Sequence, residues 1–125
     1  MTSKSKYKII KGTSEWLDKY REFCRRYYQD VYPRPELGIT KELFSEEVFM
    51  SPRIRQYYKD LIDNYSTWLV LNDQDEIIGT VAAAQLDGFV EMKAFYVEPS
   101  LKGHGIGHDL YILVLEFANG QAIRV

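Results

Sequence analysis

The 125-residue sequence predicts an α/β (α+β) domain, a mixed and mostly antiparallel sheet flanked by helices, on three observations. Strand-like runs gather in the middle of the chain, at 66–72, 77–86 and 89–97, and the turns between them are too short for crossover helices. Helical periodicity stands on both sides of that block, at 15–30 and again after residue 105. The length suits one hydrophobic core, so residues 1–125 are read as a single domain.

Each element has its own signal. YKIIK (7–11) is a short strand, and Gly12-Thr13-Ser14 supplies a turn and a helix N-cap. From Glu15 to Asp30, and just beyond at Val31, the residues Trp16, Tyr20, Phe23, Cys24 and Tyr27 recur at spacings of three and four, one face of an amphipathic helix. YPRPELG (32–38) breaks that helix, because proline lacks an amide donor and disfavours helix at the residue before it. A second helical piece covers 40–50, and Ser51-Pro52 opens a third that runs to Asp63. STWLVLN (66–72), IIGTVAAAQL (77–86) and FVEMKAFYV (89–97) are strands, with a polar turn at 72–76 and a hairpin at Asp87-Gly88. Pro99 ends the last of them. Ile106, Leu110, Leu113, Val114 and Phe117 then share one helix face, Asn119-Gly120 caps it, and QAIRV starts one more strand.

Composition narrows the function. The net charge is −2, and Lys19, Arg21, Arg25 and Arg26 read as a solvated helix flank, so nucleic acid is disfavoured as a partner. The single cysteine, Cys24, excludes an internal disulfide framework and falls in an apolar helical pattern, as a buried inert thiol does. No signal-like segment or long apolar run stands in the sequence, so the expected setting is cytoplasmic, without a membrane partner.

Three glycines, Gly103, Gly105 and Gly107, alternate in LKGHGIGHDL (101–110). The dinucleotide fingerprint G-x-G-x-x-G fails, because its last glycine would fall on His108 or Leu110, and no Gly-Lys-Ser/Thr follows as a phosphate-binding P-loop requires. What stands is Lys102-x-x-Gly105-x-Gly107 between a strand ending in Val97-x-Pro99 and a helix. Unpaired amides at the positive end of a helix dipole make an anion site there; a ligand-free turn is the alternative. His104 and His108 have no third ligand nearby, so no metal is expected.

FYVEPSLKGHGIG (95–107) resembles the signature of the GCN5-related N-acetyltransferases (GNAT superfamily), Arg/Gln-x-x-Gly-x-Gly/Ala after a strand ending in Val-x-Pro. Lys102 departs from it, standing where the family has Arg or Gln. The resemblance implies acetyl-CoA as co-substrate, its pyrophosphate held by the amides of Lys102, Gly103, His104, Gly105, Ile106 and Gly107. It further implies a bulged, splayed strand whose Phe95, Tyr96 and Val97 pair with the pantetheine arm. Acetyl transfer requires an amine stripped of its proton, although an alkylammonium has a pKa near ~10. Glu91, eleven residues before Lys102, is placed like the family's glutamate base; an exposed strand glutamate is the plainer reading. On regular alternation Met92 and Ala94 would face away from Glu91, a count that a bulge would change.

The implied activity is direct acetyl transfer from the thioester to an amine, on a small molecule or a protein. The family's further helix, with the tyrosine that protonates the thiolate, has no counterpart before Val125, so the resemblance implies a C-terminally truncated fold. Tyr96 and Tyr111 stand as replacements, with nothing favouring either. Two expectations follow: a homodimer covering the exposed sheet edge, and, as the alternative function, a CoA-binding or interaction module impaired in catalysis. The tyrosine-rich segments 25–32 and 57–58 are read mostly as packing, with some rings lining the acceptor pocket.

Overall fold

The computed structural model describes residues 7–125. Strand β1 (Lys8–Lys11) leads through a 3₁₀ turn into helix α1 (Leu17–Val31), a short helix α2 (Glu46–Phe49) and helix α3 (Pro52–Asn64). Strands β2 (Ser66–Leu71), β3 (Ile77–Gln85) and β4 (Phe89–Val97) follow as a meander, then helix α4 (Ile106–Ala118) and strand β5 (Ala122–Arg124). The sheet order is β1-β2-β3-β4-β5, antiparallel up to β4 and parallel between β4 and β5. This is the mixed, mostly antiparallel architecture expected.

Each face of the sheet carries its own core. On one side α1 and α3 bury Tyr20, Phe23, Cys24, Tyr58 and Leu61 over Leu69, Leu71 and Ala82. On the other, Ile106, Leu110 and Val114 of α4 pack on Val70, Val81, Val90 and Met92. Gly79 makes the second contact close: a β-carbon there would lie 3.0 Å from Ile106 Cγ2. Only a residue without one lets the start of α4 settle onto β3.

Several local expectations are corrected. Thr13 does not cap α1: its hydroxyl turns to Glu15 Oε2 at 3.5 Å, and the chain enters the helix through the 3₁₀ turn Ser14–Trp16. The helix read at 40–50 is two pieces, a 3₁₀ turn at Lys41–Phe44 and α2. Ser45 divides them, because it takes extended dihedrals and its hydroxyl accepts the Val48 amide. Ser51 caps α3 in the same way, as expected. The basic run is no uniform solvated flank: Arg21 is buried against Asp18 and Met50 Sδ, and the Arg25 guanidinium is clasped by Glu22 at 2.6 Å. Cys24 is fully buried, and burial pushes its thiol well above the usual range. No helix among the described residues is long and apolar enough to cross a membrane.

Candidate functional site

The centre of the site is an irregularity in β4. Ala82 stands opposite Lys93 and Thr80 opposite Tyr96, so two steps along β3 match three along β4. Ala94 takes up the extra residue with a left-handed φ of 54°. Before the bulge, Val90 and Met92 pack towards α4; after it, Phe95 and Val97 do. Ala94 and Tyr96 pack on the α1/α3 side. Regular alternation would have set Met92 and Ala94 both opposite Glu91. Met92 is opposite, whereas the bulge brings Ala94 onto the side that Glu91 and Lys93 share.

The same strand loses its outer neighbour. β5 pairs with β4 only from Phe89 to Glu91. The Glu98 amide donates to Ile78 O at 2.9 Å on β3, and successive residues of an antiparallel strand point their backbone groups alternately to either side. Phe95 and Val97 therefore turn their N–H and C=O groups away from β3, into the gap beyond β5. Tyr96 lies opposite Thr80, its side chain over the α1 side of the sheet.

The gap leads to the glycine loop. Gly103 and Gly105 hold φ of 88° and 89°, a left-handed region that side chains resist. The first α-helical bond of α4 runs from Asp109 N–H to Gly105 O at 3.0 Å, so the amides of Ile106, Gly107 and His108 precede it. Gly103 and Gly105 donate to no backbone carbonyl among the described residues, while Lys102 and His104 make long turn bonds to Pro99 O and Leu101 O at 3.4 and 3.3 Å. His104 Nδ1 lies 3.0 Å from Leu101 O, which ties its ring to the turn; His108 is exposed. Asp109, on the first turn of α4, accepts the Tyr7 hydroxyl at 2.6 Å.

On the α3 side, Tyr65 donates to Glu91 Oε1 at 2.7 Å. That bond, ahead of burial, pushes the Tyr65 phenol up to about 12. Lys93 Nζ lies 5.3 Å from the centre of the Tyr65 ring and 5.8 Å from that of Tyr57. Further along, Tyr28 and Tyr96 hydroxyls meet at 2.5 Å and Tyr27 stacks on Tyr96 with ring centres 4.5 Å apart. Burial, then the Tyr28 bond, holds the Tyr96 phenol well above its ordinary range. Tyr111 sits half-exposed on α4. On sequence, the Tyr57-Tyr58 pair is among the rings that could line an acceptor pocket, but no local pattern singles out Tyr65 or Lys93, because their contacts span separate elements.

The profile described as "Acetyltransferase (GNAT) family" matches residues 16–125. No curated protein matches the chain by sequence. Among solved structures, a GNAT-family acetyltransferase from Staphylococcus aureus Mu50 is 18% identical with a TM-score of 0.64, over 89% of this chain and 65% of its own. The chain thus spans slightly less than two thirds of that protein's length. A candidate acetyltransferase from Pyrococcus horikoshii is 19% identical with a TM-score of 0.72, over 95% of this chain and 79% of its own. PaiA N-acetyltransferase from Thermoplasma acidophilum, solved with coenzyme A, is 18% identical with a TM-score of 0.59, over 90% and 72%. At these identities the likeness is one of fold.

Proposed function

The chain belongs to the GNAT acetyltransferase family, and from that premise we propose that it transfers the acetyl group of acetyl-CoA directly to an amine, with Glu91 as general base. The observation that carries this reading is the opening of β4 away from β5, which continues into the amide-lined start of α4. An extended pantetheine arm would complete the hydrogen bonds of the Phe95 carbonyl and of Val97 as a strand does, with Tyr96 packing beneath. The pyrophosphate would sit against the Gly103, Gly105, Ile106 and Gly107 amides, at the positive helix end. Lys102 and His104 border the same turn, and the exposed Lys102 ammonium adds charge.

The chemistry follows from this placement. The ammonium of the acceptor gives a proton to Glu91, directly or through water, and the freed nitrogen attacks the thioester carbonyl. The outward-turned amide of Phe95 is positioned to hold the developing oxyanion. As the C–S bond breaks, the attacking nitrogen loses its second proton and the thiolate takes one up, giving the amide and free CoA thiol. Tyr96 lies on Glu91's side of the strand, but burial and its bond to Tyr28 hold its phenol well above its ordinary range, and Tyr111 points outward from α4, so neither is singled out as the donor. The acceptor is an amine on a small molecule or a protein. A buried, reduced Cys24 suits a cytoplasmic setting.

Titrating acetyl-CoA calorimetrically and then following CoA release with a panel of amines tests the proposal. Binding and turnover are expected; binding without turnover would favour the impaired CoA-binding or interaction module, and absence of binding would defeat both. Glu91→Gln should lower kcat by about 10²-fold or more and flatten its rise with pH. An unchanged pH profile would remove Glu91 from the mechanism. As a second part of the proposal, a homodimer covers the apolar outer side of α4 and the open edge of β5.

A further inference from the structure

We propose that the Tyr57–Tyr65 ring pair beside Glu91 is a cation subsite, occupied in the free protein by the chain's own Lys93 ammonium, and that an alkylammonium group of the acceptor takes Lys93's place there. The inference rests on Glu91 marking the reacting end of the site.

Four observations converge on it. Lys93 Nζ is shared between two rings, at 5.3 and 5.8 Å, distances at which an ammonium is drawn to the π face. Among the described residues Lys93 forms no ion pair, so the rings are its principal partners. One of those rings belongs to Tyr65, whose hydroxyl holds Glu91 at 2.7 Å, so the cation and the carboxylate adjoin through a single side chain. Finally, the strand residues opposite are small: Ala84 pairs with Glu91, and Ala82, buried in the α1/α3 core, pairs with Lys93. The sum is Ala84 beneath, two aromatic walls and a carboxylate.

Such a subsite selects a slim aliphatic ammonium. Its methylene stem lies along Ala84 and its charge over the rings; because Lys93 in that place forms no ion pair with Glu91, the proton passes to the carboxylate through a water. A neutral amide or alcohol gains none of the cation–π attraction. Lys93 then acts as a built-in competitor: its tether is flexible, so it withdraws when a substrate ammonium arrives, and it raises the concentration of acceptor needed to fill the site.

The test uses the full chain with n-butylammonium chloride as probe and n-butanol as its neutral match, at constant ionic strength, read by NMR shifts of the tyrosine ring protons. Lys93→Met should tighten butylammonium binding by about two- to five-fold and Tyr57→Leu should weaken it by a similar factor, the range of one exposed cation–π contact. Acetyl-CoA affinity, measured on the same variants, should stay unchanged and certifies that they are folded. Equal binding of butylammonium and butanol, or equal affinities across the variants, would overturn the inference. An active enzyme whose amine KM ignores both substitutions overturns the cation subsite and leaves the acetyl transfer standing. The predicted order of probe affinities in a protein that turns over no amine supports the subsite and overturns the transfer.

Discussion

At the scale of single residues, two phenols report on two carboxylates. Tyr65 donates to Glu91 and Tyr7 to Asp109, and each phenol is pushed up to about 12 from an ordinary 10.0. The causes differ in order: for Tyr65 the hydrogen bond leads, for Tyr7 burial does. A folded value above the unfolded one means that the fold favours the protonated phenol. The stability contributed is therefore whole below about pH 10 and is lost as pH rises through about 12. In a spectrophotometric phenolate titration, Glu91→Gln should return Tyr65 most of the way to its ordinary range. Asp109→Asn should return Tyr7 only in part. A Tyr65 transition that stays put in Glu91→Gln would show that the bond does not form in solution. The resemblance to the GNAT signature pointed to Glu91 as a candidate by its distance from the glycine loop, but its hydrogen-bond partner lies 26 residues away and Tyr7 lies 102 from Asp109. Pairings across such distances leave no periodic trace.

At the scale of elements, the glycine loop and the bulge had unequal visibility. Alternating glycines before a helix can be read directly, because the residue type itself reports the backbone demand. The bulge falls on Ala94, a residue that ordinarily avoids a φ of 54°, so only the register shift of β4 against β3 reveals it. The division of the 40–50 segment was hidden for a similar reason: Ser45 is acceptable inside a helix and better as a cap, and its surroundings decide. The glycines also differ among themselves. At Gly105, with φ 89°, an added β-carbon meets nothing nearer than Tyr7 Oη at 3.8 Å, so the obstacle is the dihedral and not space. Gly107 has ordinary helical dihedrals and 3.8 Å of clearance to Val97 Cγ2. Gly105→Ala should cost about 1–2 kcal/mol of stability and weaken acetyl-CoA binding as the loop shifts. Gly107→Ala should gain about 0.5–1 kcal/mol from helix propensity, with binding retained. Chemical denaturation and calorimetry measure both; a Gly105→Ala variant as stable and as tight-binding as the parent would mean that the loop does not need its left-handed turn.

At the scale of the whole molecule, α4 joins the site to both the core and the outer surface. Its inner residues Leu110 and Val114 are fully buried on the sheet, and they fix the direction in which the helix presents its first amides. Its outer residues Tyr111, Ile112 and Leu115 are apolar too, each more than a third exposed. They share that face with His108, Asp109 and Glu116, and an apolar patch rimmed by polar residues is the kind of surface a partner covers. The two faces should therefore separate on mutation. Leu110→Ala, which empties a packed position between helix and sheet, should cost about 2–5 kcal/mol and weaken acetyl-CoA binding with it, since the amides lose their anchorage. Leu115 lies outside both core clusters, so the stability of Leu115→Glu measured well below the dimer's dissociation constant should stay within about 0.5 kcal/mol of the parent. If a second copy covers this face, the same glutamate places an unpaired charge at the centre of the contact, and light scattering at micromolar concentration should show the parent as a dimer and the variant as a monomer. A parent that scatters as a monomer would leave α4 exposed by design and remove the dimer from the proposal.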